Sequence, residues 1–252
     1  MSPPRTPADQ RMDDTTTVDT LDVSIVVVSY NTRDLTIACL ESVYDETKNA
    51  SFELLVVDNA STDGSATAIA ECVPQAQLVA SKENLGFASA NNVAAKNARG
   101  RYVLLLNPDT VVLNRAIDSI VGFADAHPDF AIFGGRTVYG DGQLNPTSVW
   151  RAPSLWGLVC RTLAFDTVFS GSEWLNPDCY GSWPRDTERE IDIVSGCFLL
   201  IRREVWEELG GFDRQFFMYA EDWDLCLRAR SLGHRALMCP DVLIRWRRAF
   251  SL

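Results

Sequence analysis

Short apolar runs that end in polar residues recur through the first half of the chain, and they constrain its fold more than any other feature. The runs are VSIVVVSY (23–30), FELLVVDN (52–59), AQLVAS (76–81), YVLLLNPD (102–109) and FAIFGG (130–135). The segments between them, 33–44, 63–72, 87–99 and 114–127, have helical spacing and few helix breakers. Strands that are apolar throughout and alternate with helices are typical of a parallel sheet with helices on both faces. The sequence therefore predicts an α/β fold with a Rossmann-like, mostly parallel sheet.

The second half of the chain elaborates this pattern and does not repeat it. Residues 140–190 are rich in Gly, Pro, Trp and Ser, and WRAPSLWGLVCRTLAF (150–165) predicts one helix there. Segment 191–213 predicts a strand and a short helix, 216–234 another helix, and 234–246 a final strand. We therefore predict one domain over residues 21–244, preceded by a polar, disordered leader (1–20) and followed by a divergent tail (245–252).

Charge and cysteine usage narrow the class of protein. The chain of 252 residues has a formal net charge of -11, which argues against a nucleic-acid binder that relies on a basic surface. Its seven cysteines are scattered and form no C-x-x-C pair, which predicts free thiols in a reducing compartment. The first twenty residues lack the apolar stretch of a secretory signal, and no run is long enough for a transmembrane helix. We therefore expect a soluble, cytoplasmic protein.

Polar side chains follow four of the predicted strands. The strand ends are Ser29-Tyr30-Asn31, the loop 58–64, the segment 82–87 and Asn107-Pro108-Asp109. Ligands of open parallel sheets bind outside the carboxyl ends of the strands, so these ends together predict a polar crevice. For any single strand end, an equally good interpretation is that Asn, Asp and Ser form turns and helix caps there.

Motif searches exclude several ligand classes. The dinucleotide fingerprint G-x-G-x-x-G, the phosphate loop G-x-x-x-x-G-K-[ST] and the hydrolase elbow G-x-S-x-G are all absent. A zinc site is not expected, because the only histidines are His127 and His234. Two strand-end carboxylates remain as candidates: Asp58 can accept hydrogen bonds from a base or ribose, and Asp109 is a hard oxygen ligand for Mg²⁺ or Mn²⁺ bound with a diphosphate.

The acidic stretch EDWD has two interpretations. Glu221, Asp222 and Asp224 surround Trp223 directly after the aromatic stretch FFMY. Acids in the first turn of an amphipathic helix favour its dipole and need no further explanation. A carboxylate in apolar surroundings has a raised pKa, which suits a general base. Both interpretations can hold, because a residue in the first turn need not face the core.

Six stretches in order resemble the inverting glycosyltransferases of family 2, and are most similar to its rhamnosyltransferase-like and galactofuranosyltransferase-like branch. The stretches are VSIVVVSYN, LLVVDNASTDGS, NLGFASANN, VLLLNPDT, SGCFLLIRREVWEELGGFD and FFMYAEDWDLCLRARSLG, within about Val23 to Val242. The resemblance implies a GT-A fold, a nucleotide-diphosphate sugar donor and a divalent cation, Mg²⁺ or Mn²⁺.

The same resemblance implies roles for particular residues. It places Ser29, Tyr30, Asn31, Asp58, Asn59 and Ser61 around the nucleotide, and Asn84, Gly86, Asn91 and Asn92 on the donor side. Asn107 and Asp109 stand where relatives have D-x-D, so Asp109 is the implied metal ligand. Glu221 and Asp222 match the acidic pair that carries the general base, and Asp222 is the implied base.

The resemblance also predicts a function, and this chain differs from the family at one position that bears on it. The predicted activity is transfer of a sugar, with L-rhamnose favoured, from the donor to a hydroxyl of a glycan or glycolipid in cell-surface polysaccharide synthesis. Relatives usually carry a metal-binding His after the last strand, where this chain has Arg245 and Trp246. The alternative is therefore a nucleotide-sugar-binding protein with impaired turnover. The basic, aromatic tail also allows peripheral contact with an anionic membrane surface at its inner face.

Overall fold

The computed structural model describes residues 20–247, which form an α/β structure around one large sheet. Residues 1–19 of the predicted leader and 248–252 of the predicted tail lie outside this range. The first half contains β1 (Val23–Ser29), α1 (Arg33–Glu46), β2 (Phe52–Asp58), α2 (Ser65–Cys72), β3 (Gln77–Ala80), α3 (Phe87–Ala95), β4 (Tyr102–Leu106), β5 (Thr110–Leu113), α4 (Ala116–Ala126) and β6 (Ile132–Tyr139). The alternation of strands and helices predicted for this half is confirmed.

The second half contributes short strands and helices that cover and extend the sheet. Its elements are β7 (Val149–Trp150), α5 (Leu155–Thr162), α6 (Phe165–Val168), β8 (Arg189–Ile191), β9 (Ile193–Val194), β10 (Phe198–Arg202), α7 (Arg203–Leu209), α8 (Glu221–Ser231) and β11 (Ala236–Trp246). The single helix predicted within 150–165 is instead two helices, because Ala164 adopts a positive φ of 57° between them. Within residues 20–247, no helix is both long and apolar enough to cross a bilayer.

The strand order places the amino end of an antiparallel strand beside the carboxyl ends of parallel ones. In the described range the nine-stranded sheet has the order β3-β2-β1-β4-β10-β6-β11-β5, with β8 paired to β11. Strands β3, β2, β1 and β4 are mutually parallel, whereas β10 is antiparallel to both β4 and β6. The segment before β10 therefore reaches the same sheet edge as the loops that follow β1, β2 and β4.

Both faces of the sheet are buried at β1, β2 and β4, which explains why these strands are mostly apolar. Val26 and Val28 of β1 face one core, together with α3 and α8, while Ile25 and Val27 face a second core with α1 and α4. Successive side chains of a strand point to opposite faces, so every position of β1 needs an apolar or internally bonded residue.

Two strand boundaries differ from the sequence prediction. The run 102–109 is not one strand: β4 ends at Leu106, and Thr110 closes a turn by donating its N–H and Oγ–H to the Asn107 carbonyl oxygen. The new strand β5 follows at once. At the other end, the predicted domain boundary after residue 244 falls inside β11, because Arg245 and Trp246 still pair with β5 and β6. These two residues belong to the sheet and not to a separate tail.

Candidate active site

A cleft of about 390 Å³ opens at the sheet edge where the polar strand ends converge. Its walls come from the ends of β1, β2 and β4, from the segment before β10, and from the start of α8. The lining residues are Val28, Tyr30, Thr32, Asn59, Asn84, Phe87, Asn107, Pro108, Asp109, Ser195, Gly196, Cys197, Met218, Tyr219, Glu221, Asp222 and Trp246. Acidic and amide side chains thus meet aromatic ones in a single cavity.

The Asp222 carboxylate is held in one orientation by backbone donors. Its Oδ2 accepts the Gly196 N–H at 2.8 Å, and its Oδ1 accepts the Trp223 N–H at 2.9 Å. Burial raises the pKa of Asp222 above its ordinary value, and the hydrogen bonds from these N–H groups oppose that rise. A fixed carboxylate of raised pKa that lines the cleft has the properties of a general base.

The adjacent acid, Glu221, occupies a drier environment. It is 5% exposed, and its buried Oε2 has no hydrogen-bond partner in the described range. Burial, with a contribution from the Asp222 charge, raises the pKa of Glu221 to about 7. Tyr219 and Ala220, with φ of 70° and 68°, turn the chain into α8 so that both acids face the cleft.

The raised pKa of Glu221 predicts a pH-dependent stability. The folded state holds the Glu221 proton up to about pH 7, whereas the unfolded chain releases it near pH 4.5. Stability from the neutral carboxyl is therefore complete below pH 4.5 and is lost as the pH rises through 7. We expect the wild-type protein to lose about 3 kcal/mol over this window relative to Glu221→Gln.

Urea unfolding of both proteins, measured at several pH values, checks this expectation. Gln resembles the neutral carboxyl and does not titrate, so the free energy of unfolding of Glu221→Gln should not show this loss as the pH rises. A difference between the two proteins that is the same at about pH 5 and about pH 8 would contradict the assignment.

Asp109 presents one unpaired oxygen beside the cleft. Its Oδ2 accepts the indole N–H of Trp246 at 2.6 Å, and its backbone oxygen accepts the Arg247 N–H at 2.7 Å. Its Oδ1 is buried and has no hydrogen-bond partner in residues 20–247. Burial raises the pKa of Asp109, and the hydrogen bond from Trp246 opposes that rise. Trp246 thus occupies one of the two oxygens that a cation could use.

The donor atoms near Asp109 fit a divalent cation that is completed by a ligand. The Asn107 side-chain oxygen is also buried without a partner, so two hard oxygens remain available. Within the part of the chain that the structure describes, no group of three or more His, Cys, Asp and Glu residues could hold a metal ion alone. Mg²⁺ typically binds through one or two carboxylates together with substrate phosphates, which suits this arrangement.

Four of the residues predicted to bind the donor line the cleft: Tyr30, Asn59, Asn84 and Asn107. Asn59 donates from Nδ2 to the Asn84 side-chain oxygen at 2.8 Å, and its own Oδ1 accepts the Leu85 N–H at 2.8 Å. This pair ties the end of β2 to the loop before α3. The amides therefore form one connected wall.

The other residues predicted around the nucleotide, Ser29, Asn31, Asp58 and Ser61, do not line the cleft. Ser29 is buried and bonded to the Thr36 hydroxyl. The Asn31 N–H donates to the Ser61 hydroxyl at 2.9 Å, and Asp58 Oδ2 accepts the Ser61 N–H at 3.1 Å. These bonds lock the loops after β1 and β2 together. The buried Asp58 Oδ1 has no partner in the described range, so it remains free to accept a hydrogen bond.

Gly86, Asn91 and Asn92 do not line the cleft, and two of them, Gly86 and Asn92, hold the neighbouring segment 212–220 against α3. Asn92 both donates to and accepts from the backbone of Phe212, at 2.8 and 2.9 Å. A Cβ on Gly86 would lie 2.6 Å from the Phe217 carbonyl oxygen, so this close approach requires glycine. Asn91 bonds within α3 to the Phe87 carbonyl oxygen. Gly86 and Asn92 therefore position the segment that leads into Glu221 and Asp222, whereas Asn91 stabilises α3 itself.

The sequence predicts no role for Gly196 in the site, and Trp246 enters it only as a residue that stands where relatives carry a metal-binding His. Gly196 sits between β9 and β10, and only the position of β10 beside β4 brings its N–H to Asp222. Two sequence signals point to Trp246: it ends an apolar strand, as other site residues do, and it stands near the position of the relatives' metal-binding His. The hydrogen bond from its indole to Asp109 is visible only in the structure.

The sheet and its cleft have the architecture of the GT-A glycosyltransferase fold. A mannosyltransferase, PcManGT from Pyrobaculum calidifontis, solved with GDP-Man and Mn²⁺, is 24% identical, with a TM-score of 0.63 over 92% of this chain and 59% of that one. S. aureus TarS residues 1–349, solved with UDP, is 20% identical, with a TM-score of 0.61 over 89% of this chain and 60% of that one. At these identities the likeness shows the fold alone.

The chain belongs to glycosyl transferase family 2, whose sequence profile matches residues 24–210. The O-antigen biosynthesis protein RfbC of Myxococcus xanthus is 29% identical over 224 residues, 85% of this chain and 16% of RfbC. An N-acetylglucosaminyl-diphospho-decaprenol L-rhamnosyltransferase of Mycobacterium tuberculosis is 26% identical over 213 residues, 79% of this chain and 67% of that protein. The resemblance to family 2 and to its rhamnosyltransferase-like branch is confirmed. This chain spans about a sixth of RfbC.

Proposed function

We propose that this protein transfers a sugar, with inversion, from a nucleotide-diphosphate donor to a hydroxyl of a glycan or glycolipid in cell-surface polysaccharide synthesis. One observation carries the proposal. The Asp222 carboxylate, oriented by the Gly196 and Trp223 N–H groups, lines the same cleft as Asp109, which keeps an unpaired oxygen. A base and a candidate cation ligand thus share one cavity.

In the proposed reaction, Asp222 removes the proton from the acceptor hydroxyl as that oxygen attacks the anomeric carbon. Attack from the face opposite the leaving diphosphate inverts the configuration and needs no covalent intermediate with the protein. The two backbone N–H donors keep the carboxylate in position, and its raised pKa makes proton transfer more favourable than for an ordinary Asp. Positioned base catalysis of this kind contributes roughly 10²–10⁴ in rate.

The other cleft residues bind and orient the donor in this proposal. Asp109, with Asn107, would hold Mg²⁺ or Mn²⁺, which when bound supplies positive charge to the departing diphosphate. Tyr30, Asn59 and Asn84 line the donor side. The locked loops that carry Ser29, Asn31, Asp58 and Ser61 form the nucleotide wall, while Gly86, Asn91 and Asn92 shape the donor side from beneath.

One relative supports a choice of sugar and acceptor for this proposal. L-rhamnose is the favoured sugar and a lipid-linked glycan the favoured acceptor, because the mycobacterial relative is named for both. We place the reaction on the cytoplasmic side, with the protein peripheral to the membrane that carries such an acceptor.

A second candidate function is binding of a nucleotide sugar with impaired turnover. It is favoured by one contact: the indole N–H of Trp246, which cannot bind a metal, takes the Asp109 Oδ2. A cation would then have a single Asp109 oxygen, and the site would be weakened.

A donor screen tests both functions. Thermal stability is measured with a panel of nucleotide-diphosphate sugars, each with Mg²⁺, with Mn²⁺ and with a chelator, and products are then analysed with a lipid-linked acceptor. A true donor at about a hundred times its dissociation constant is expected to stabilise the protein by about 2.7 kcal/mol. Stabilisation without transfer or hydrolysis supports the second function. Neither stabilisation nor turnover with any donor contradicts both.

A further inference from the structure

The helices α5 and α6 and the residues after them carry an unusual concentration of exposed apolar side chains. Fifteen large apolar side chains are exposed in residues 20–247, and eight of them lie within residues 155–174. We call these eight the apolar patch: Leu155, Trp156, Leu158, Val159, Leu163, Val168, Phe169 and Trp174. Leu155 is 85% exposed and Val168 is 70% exposed, so these side chains project fully into the surroundings.

The orientation of α5 is built into the structure. Its small residues Gly157 and Cys160 face inward, and a Cβ on Gly157 would collide with the Asp178 carboxylate. Arg161 donates to the Asp178 Oδ2 at 2.8 Å, and the Ser154 hydroxyl caps the helix by accepting the Gly157 N–H at 2.9 Å. The helix is therefore fixed with its small side inward and its large apolar side outward, the reverse of an ordinary surface helix.

The patch connects directly to the wall of the cleft. The strand β7, which ends five residues before α5, pairs with β9, and the Ser195 N–H donates to the Ser148 carbonyl oxygen at 3.0 Å. Ser195 lines the cleft, and the next residue, Gly196, holds Asp222. The pairing of β7 with β9 thus links the chain that leads into the patch to the segment 195–196 at the cleft.

Charge around the patch points to an uncharged apolar partner. Glu173 pairs with Arg189 at 3.0 Å, and Asp178 pairs with Arg161, so two of the nearby acids are neutralised. The chain as a whole carries a formal charge of -11, which opposes general attraction to anionic lipid. Two Trp rings, Trp156 and Trp174, stack at 4.9 Å within the patch, and Trp is enriched where proteins meet a membrane interface.

A second copy of this chain is a less suitable occupant. A stable dimer interface takes about 800 Å² and about 20–30 residues from each partner, and the patch offers eight side chains on two short helices. Leu, Phe and Trp on a projecting helix, with few charges beside them, instead resemble a helix that lies in a lipid interface.

We infer that the apolar patch docks on the surface of a lipid bilayer and so brings the cleft to an acceptor held in that bilayer. The reason for docking rests on the proposed function, whereas the docking itself does not depend on catalysis. Burial of the exposed Leu, Val and Phe side chains drives the contact. Binding is therefore insensitive to salt and does not require anionic lipid.

Co-sedimentation with vesicles tests this inference on the full chain. We expect the wild-type protein to bind phosphatidylcholine vesicles, with little change when phosphatidylglycerol or salt is added. The patch variant Leu155→Ser/Leu158→Ser/Leu163→Ser/Phe169→Ser should reduce partitioning by about 100-fold or more. The matched control Val79→Ser/Val93→Ser/Leu232→Ser, which replaces exposed apolar residues elsewhere, should bind as the wild-type protein does.

Three outcomes overturn the inference: no binding of the wild-type protein, equal binding by the patch variant, or a dimer that the patch variant converts to a monomer while vesicles bind neither protein. Thermal unfolding is measured to show that the patch variant and its control both fold. Failure of the proposed function is separable, because Asp222→Asn should still bind vesicles and the patch variant should still bind a donor. Vesicle binding without any donor binding would support the docking inference and reject the proposed function.

Discussion

The variant Asp222→Asn is expected to lose sugar transfer by roughly 10²–10⁴ in rate while keeping donor affinity within a few-fold. Asn is nearly isosteric, so the cleft retains its shape, but a neutral amide cannot take the proton of the acceptor hydroxyl. Transfer is measured by product formation at saturating donor, and donor affinity by calorimetry in the presence of Mn²⁺.

The matched control for this variant is Asp129→Asn. Asp129 is exposed and precedes β6, whose amino end lies at the sheet edge opposite the cleft, because β6 is antiparallel to β10. The Asp129→Asn protein should transfer sugar at the wild-type rate. Asn at position 222 can accept only one of the two backbone hydrogen bonds that Asp222 accepts. Thermal unfolding must therefore show that Asp222→Asn remains folded. Full transfer by a folded Asp222→Asn would reject Asp222 as the base.

The variant Asp109→Ala is expected to abolish the part of donor binding that depends on Mg²⁺ or Mn²⁺. It removes the one carboxylate that presents an unpaired oxygen beside Asn107, and the remaining amide oxygen cannot replace a charged ligand. We expect a loss of more than about 100-fold in donor affinity with Mn²⁺, and little change with chelator present. Calorimetric titration under both conditions measures this difference.

The control Trp246→Phe separates the charge of Asp109 from its hydrogen bond. It removes the indole N–H that bonds to Oδ2 but leaves the carboxylate in place. It should keep cation-dependent donor binding, and a gain in transfer would show that Trp246 restrains turnover, as the second candidate function requires. If Asp109→Ala responds to Mn²⁺ as the wild-type protein does, the cation binds elsewhere.

Much of the fold was predictable because its signals are local. The mostly apolar runs of β1, β2 and β4 identified the parallel sheet, since a strand with both faces buried needs apolar side chains at successive positions. The end of β4 was missed because the polar residues 107–109 follow the apolar run directly, and the turn there is set by bonds from Thr110 to the Asn107 carbonyl oxygen. The break between α5 and α6 was missed for a similar reason, because Ala164 has no strong local preference for a positive φ.

The site was predictable in its location and less so in its contacts. Polar residues at the strand ends had to gather at one sheet edge, and Tyr30, Asn59, Asn84 and Asn107 do line the cleft there. Asn91 and Asn92 lie on α3 with bonds to Phe87 and Phe212, and a motif alone does not reveal which way such side chains point. Asn92 reaches the cleft only through the segment 212–220, and Asn91 bonds within its own helix.

The sequence by itself determined the succession of strands and helices, the sheet edge that carries the cleft, and the acidic pair Glu221-Asp222 as a candidate base. Only the tertiary structure decided that Gly196 orients Asp222, that Trp246 bonds to Asp109 across 137 positions, and that Glu221 is dry enough to raise its pKa to about 7. Hydrophobic periodicity is a property of neighbouring residues and can be recognised in a short window. Hydrogen bonds between distant strands and the desolvation of a carboxylate depend on packing that no short window contains.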